Sequence, residues 1–99
     1  MKTRLSVTPD AAETLAIQAL NYIAEDTERL GRFLALTGIG PADIRTAAHE
    51  PRFLAGVLDH IAGNEALLIK FAVECGVPPG VVKAARDVLA GHDWEREVP

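Results

Sequence analysis

When the sequence is shifted against itself by 38 positions, eight identities fall into register, and no other feature constrains the fold as strongly. Leu20 meets Leu58, Ile23 meets Ile61, Ala24 meets Ala62 and Leu30 meets Leu68. Phe33 then meets Phe71, Gly38 meets Gly76, Pro41 meets Pro79 and Ala47 meets Ala85. Conservative pairs lie between them: Asp26 with Asn64, Arg32 with Lys70, Ile39 with Val77, Ile44 with Val82 and Arg45 with Lys83. A fixed self-similarity of this kind marks a repeated supersecondary unit that buries its apolar face against its neighbour.

The punctuation inside each copy is helical. Thr8, Pro9 and Asp10 supply a cap, a first-turn proline and a carboxylate suited to the positive end of a helix. Ala12, Leu15, Ala16, Ala19, Leu20 and Ile23 follow on one face. Asp26 caps a second helix with Leu30, Phe33, Leu34 and Thr37 inward, and Gly38 stops it. Ile39 is expected to plug back onto Phe33 or Leu34, and Pro41 restarts the chain as a short helix to Ala48 with Ile44 and Ala47 inward. Pro51 opens a fourth helix whose face is Phe53, Leu54, Val57, Leu58 and Ile61, ended by Gly63. Asn64 caps a fifth, with Leu67, Leu68, Phe71, Ala72 and Cys75, and Gly76, Val77 and Pro79 repeat the corner. The sixth carries Val81, Val82, Ala85, Val88 and Leu89, and Gly91 is expected to close it.

The expected fold is all-α: six short helices as two three-helix repeats, joined at Gly-Pro corners around one core. Residues 1–8 form a flexible arm, 9–91 one helical domain with halves at about 10–48 and 48–86, and 92–99 a tail. Phe33, Phe53, Phe71, Leu20, Leu58, Leu30, Leu68, Ile23 and Ile61 should form the centre.

The run from Phe33 to Gly38, the stretch Pro41 to Arg45, the run Phe53 to Asp59, Glu65 with Leu67 and Leu68, and Phe71-Ala72 together resemble the DUF3572 family, small helical bacterial proteins of unknown activity. The likeness spans about residues 10–90. It implies an all-helical, cytoplasmic bacterial protein and transfers no catalytic residue.

The 99 residues suffice for one core, and 48% hydrophobic content is too apolar for disorder. One cysteine, Cys75, rules out an intrachain disulfide and reads as a small buried hydrophobe. No apolar run has the length of a secretory signal or a membrane span, so the expected location is the cytoplasm. The net charge of −4 opposes nucleic-acid binding driven by clustered cations.

No chemistry-bearing constellation stands out. His49, His60 and His92 lack metal-ligand spacing, and Asp59-His60 with Glu65 reads as a solvated helix end. Glu13, Glu25, Asp26 and Glu28 dress helix starts and exposed faces. The expectation is therefore no catalytic residue, no metal and no cofactor. The corner from Leu36 to Pro41 looks like the turn of a helix-hairpin-helix DNA-binding motif, with Arg45, Arg52 and Lys83 as backbone contacts. Asp43 would repel a phosphate there, and Pro78 and Pro79 remove donors from the second copy, so a structural corner is the stronger reading. Leu36 and Val73 fall off the apolar stripes, and Trp94 stands alone in a charged tail. These three form the candidate interaction surface for a protein partner or a second copy of the chain.

Overall fold

The computed structural model describes the backbone of residues 7–96 and the side chains of residues 7–91. Six helices follow one another: α1 (Pro9–Ala24), α2 (Thr27–Thr37), α3 (Ile44–Ala47, entered through a 3-10 turn at Pro41–Asp43), α4 (Pro51–Ala62), α5 (Glu65–Cys75) and α6 (Pro79–Arg96). No strand occurs among the described residues, so the fold is all-α.

The capping residues act as their chemistry dictates. The Thr8 hydroxyl accepts the Ala11 N–H at 3.1 Å. Asp26 accepts the N–H groups of Glu28 and Arg29 at 2.8 and 3.2 Å, and Asn64 accepts that of Leu67 at 3.1 Å. At the other ends, Gly38 and Gly76 take φ of 75° and 70°. A side chain at either site would strain the backbone.

The two corners close differently. After α5, the Val77 N–H reaches back to the Ala72 carbonyl at 3.0 Å, and Val77 packs against the core. After α2, the Ile39 N–H instead donates to the Thr37 hydroxyl at 3.4 Å. That hydroxyl donates in turn to the Phe33 carbonyl at 2.9 Å. Ile39 is half-buried and is not among the residues packed on the core. The threonine captures the N–H that would otherwise fold the plug inward, and Cys75 at the matching position does not.

Helix boundaries keep the register of 38: α2 and α5 begin and end at matching positions, α1 and α4 end at matching alanines, and Pro41 and Pro79 each start the next element. The equivalence stops at the third element. α6 runs for 18 residues and packs extensively against α4 and α1, whereas α3 is a single turn with no comparable partner and no buried residue. α6 also continues through Gly91 to Arg96, so Gly91 does not close it. Gly38 and Gly76 are followed within three residues by a proline that bars helical continuation, but after Gly91 the next proline is Pro99.

The core is assembled from α1, α4 and α6, with α2 and α5 each contributing a phenylalanine. Phe33, Phe71, Ile23, Val57, Leu58, Ile61 and Val82 are its largest fully buried side chains. Leu20 and Leu68 are also buried. Phe53 and Leu30, expected at the centre, are half-buried and pack on its margin. Leu68 occupies in α5 the place that Leu30 occupies in α2 and is buried, so what packs over each helix, and not the position along it, sets the difference. The molecule measures 44 × 34 × 18 Å, a slab of small thickness for its breadth.

The arm at residues 1–8 falls mostly, and the side chain of Trp94 wholly, outside the described residues.

Candidate functional site

α2 and α5 stand apart and leave a groove of about 540 Å³ between them, floored by the C-terminal end of α4. Its two walls are built from matching positions. Asp26, Glu28, Arg29 and Arg32 line one side, and Asn64, Ala66, Leu67 and Lys70 line the other, each 38 residues on from its counterpart. Ring contacts beneath the groove are reciprocal as well. Tyr22 of α1 meets Phe71 of α5 with centroids 5.5 Å apart, and His60 of α4 meets Phe33 of α2 at 5.2 Å. Since Tyr22 aligns with His60 and Phe33 with Phe71, each half reaches across to the same place in the other.

The charges in the groove are not equally available. The Asp26 carboxylate is held by the Arg29 and Glu28 N–H groups, which also push its pKa below the usual range. The Asp59 carboxylate lies 3.2 Å from Arg86 of α6. The Arg29 guanidinium stacks on the Tyr22 ring at 4.0 Å and donates to the Tyr22 carbonyl at 2.9 Å. Its Nε is buried without a hydrogen-bond partner. Arg32 and Lys70 are exposed, and neither forms a salt bridge among the described residues. Glu28 is the one groove carboxylate left without a cap or ion-pair role there. His60, half-buried on the floor, has its pKa lowered by burial and then by Arg32, against the opposing pull of Asp59. The N-termini of α2 and α5 both end at this groove, adding the positive ends of two helix dipoles.

A second hollow of about 410 Å³ lies between α1 and the start of α6, lined mainly by apolar side chains such as Leu15, Val77 and Val81. Cys75 sits near its rim, half-buried, with Sγ 3.9 Å from Gln18 Oε1. Burial, and then Glu74, push this thiol pKa up, which suits a packing cysteine better than a nucleophile.

The residues singled out from sequence fall in separate places. Leu36 is 70% exposed at the edge of the groove, and Val73 is 75% exposed on the outer face of α5. Ile69, 48% exposed and one turn before Val73, was not foreseen. Ile69 lies off the buried stripe of Leu68, Phe71 and Ala72 as Val73 does, so the spacing that sets Val73 outside applies to it as well. Arg45, Arg52 and Lys83 are exposed on α3, α4 and α6, and none lines the groove. At the Gly38–Pro41 corner, the Gly38 N–H donates to Leu34, that of Ile39 to Thr37, and that of Asp43 to Gly40. Those three donors are engaged within the chain.

A family model described as "Protein of unknown function (DUF3572)" matches residues 9–92. The chain belongs to this family. The match runs from the first residue of α1 into α6, so both walls of the groove and its floor lie within it. No curated protein and no solved structure matches the chain. No helix among the described residues is long and apolar enough to cross a membrane, and none of their His, Cys, Asp and Glu side chains form a group of three that could hold a metal ion.

Proposed function

We propose that this chain is a protein-interaction module, acting by contact with a protein partner or with a second copy of itself rather than by catalysis. One observation carries the reading. α5 presents Ala66, Ile69 and Val73 to solvent on the face opposite its buried Leu68, Phe71 and Ala72. Single exposed apolar residues are ordinary on protein surfaces. A stripe spaced by one helical turn, on a helix already anchored by its other face, is the pattern by which one helix receives another. Leu36 adds a fourth exposed apolar side chain on α2.

The reading is tested by placing a photoreactive side chain at position 73, with position 45 on α3 as control, and irradiating in the native host. The expected result is discrete adducts from position 73 that disappear when Ile69 is also changed to Glu. Sedimentation of the purified chain then separates a partner from self-association. A strictly monomeric chain that gives no adduct at position 73 beyond the control would overturn the proposal.

A further inference from the structure

We propose that Leu5 of this chain fills the hollow between α1 and the start of α6, so that the residues ahead of α1 act as a strap holding α1 to α6. The hollow measures about 410 Å³, and no charged side chain lines it among the described residues. Of its lining residues Leu15 is buried, whereas Val7, Val77 and Val81 are half-buried and leave apolar surface open. The Thr14 hydroxyl is already committed to the Asp10 carbonyl at 3.0 Å. Such a recess suits an apolar side chain.

Covalent continuity names the occupant. Val7, the first described residue, itself lines the hollow, so the six residues before it join the fold at this place. In the run from Met1 to Val7 the apolar residues Met1, Leu5 and Val7 fall at odd positions, and the cations Lys2 and Arg4 at even ones. Extended backbone sends alternate side chains to opposite sides, so an extended segment puts Leu5 on the side of Val7 and both cations on the other. Thr8 is already extended, with φ −74° and ψ 157°. Two extended residues cover about 7 Å. The α1 lining from Ala11 to Gln18 runs about 10 Å along the helix. A segment running back along α1 thus brings Leu5 within reach of Leu15 and Val81. Trp94 is no rival, because its place on α6 is about 20 Å beyond Val81.

The start of α6 is where such a strap has an effect. Thr8, Asp26 and Asn64 cap their helices through side-chain oxygens, but the residue before α6 is Pro78, which has no side-chain acceptor. Apolar cover over Val77 and Val81 gives that uncapped turn a tertiary anchor. Ile69 and Val73 do not line the hollow, so the strap and the interaction-module reading stand or fall separately.

The test uses the full chain with labelled leucine and valine methyl groups. Nuclear Overhauser contacts are expected from Leu5 to Leu15, Val77 and Val81, with Leu5 methyl shifts displaced from those of an unstructured peptide. Leu5→Asp should move the Val77 and Val81 methyl resonances. It should also speed exchange of the Val81 amide, which closes the first turn of α6 on the Pro78 carbonyl at 3.0 Å. Leu5→Met, which keeps an apolar side chain, should retain the slow exchange. Mixing labelled with unlabelled chains shows whose Leu5 is seated, and the contacts should stay within one chain. Contacts found only between chains would give the hollow to a second copy and overturn the inference. Unstructured Leu5 shifts without contacts would overturn it too, as would Val77 and Val81 resonances that Leu5→Asp leaves unmoved.

Discussion

Phe33 is the side chain whose removal most directly probes how this chain is held together. It is fully buried on α2, with the ring of Phe53 at 6.0 Å and that of His60 at 5.2 Å, both edge-on. Truncation to Ala removes a ring from a site that has no route to collapse, since α4 behind it is pinned by Val57, Leu58 and Ile61. Such substitutions cost about 3–5 kcal/mol. For a domain of this size, about 3 kcal/mol lowers Tm by roughly 12 °C or more. Phe53→Ala, at a half-buried site, should cost about half as much. Thermal and urea unfolding followed by circular dichroism measure both. Proton NMR of His60 gives a second readout. Its folded pKa lies below the ordinary imidazole value, so the unfolded chain takes up the proton first as pH falls. The contribution to stability is therefore complete above that ordinary value and is lost as pH drops through the depressed folded one. Opening the site in Phe33→Ala hydrates His60, raises its pKa toward the ordinary value and flattens this acid dependence. The packing argument fails if Phe33→Ala costs under about 1 kcal/mol, or if Phe53→Ala costs as much.

Glycine substitutions should split by sign. Gly38→Ala and Gly76→Ala place a side chain at positive φ and should each destabilise by about 1–2 kcal/mol. Gly31→Ala, mid-helix in α2 with open space around the new methyl, should stabilise by about 0.5–1 kcal/mol, read as a higher urea midpoint at constant m. Asn64→Ala removes the α5 cap and should cost about 0.5–2 kcal/mol, whereas Asn64→Asp retains the acceptor and should preserve stability. Cys75 should react with iodoacetamide more slowly than a free thiol at the same pH, and unfolding should abolish the difference.

Local chemistry explains how much of this fold is written plainly in the sequence. Caps at Thr8, Asp26 and Asn64, glycine stops at 38 and 76 and proline starts at 9, 41, 51 and 79 each act through neighbours within a few residues. Depth of burial is another matter. Periodicity places Leu30 and Phe53 on the right faces but cannot say how far the neighbouring helices will cover them. Gly91 resembles the other stops until the missing proline after it is noticed. The groove is legible only in part: Arg32 and Lys70 stand out as a matched pair, yet nothing local indicates that they confront each other across a gap. That depends on how α1 and α4 bring α2 and α5 together. His60 was visible as a helix-end histidine, but its edge-on contact with Phe33 is a tertiary fact.

The seating of α6 against both α1 and α4 bears on how the chain comes into being. On a ribosome, the first helix emerges long before the last, and the part of its apolar side that packs on α6 has no permanent cover until Val82, Ala85 and Leu89 leave the exit tunnel. Early intermediates must therefore leave greasy surface open to the surrounding medium, and final closure must join the first and the last of the six helices. Synthesis halted before α6 should yield a sticky, protease-sensitive nascent chain, and locking should come late and all at once.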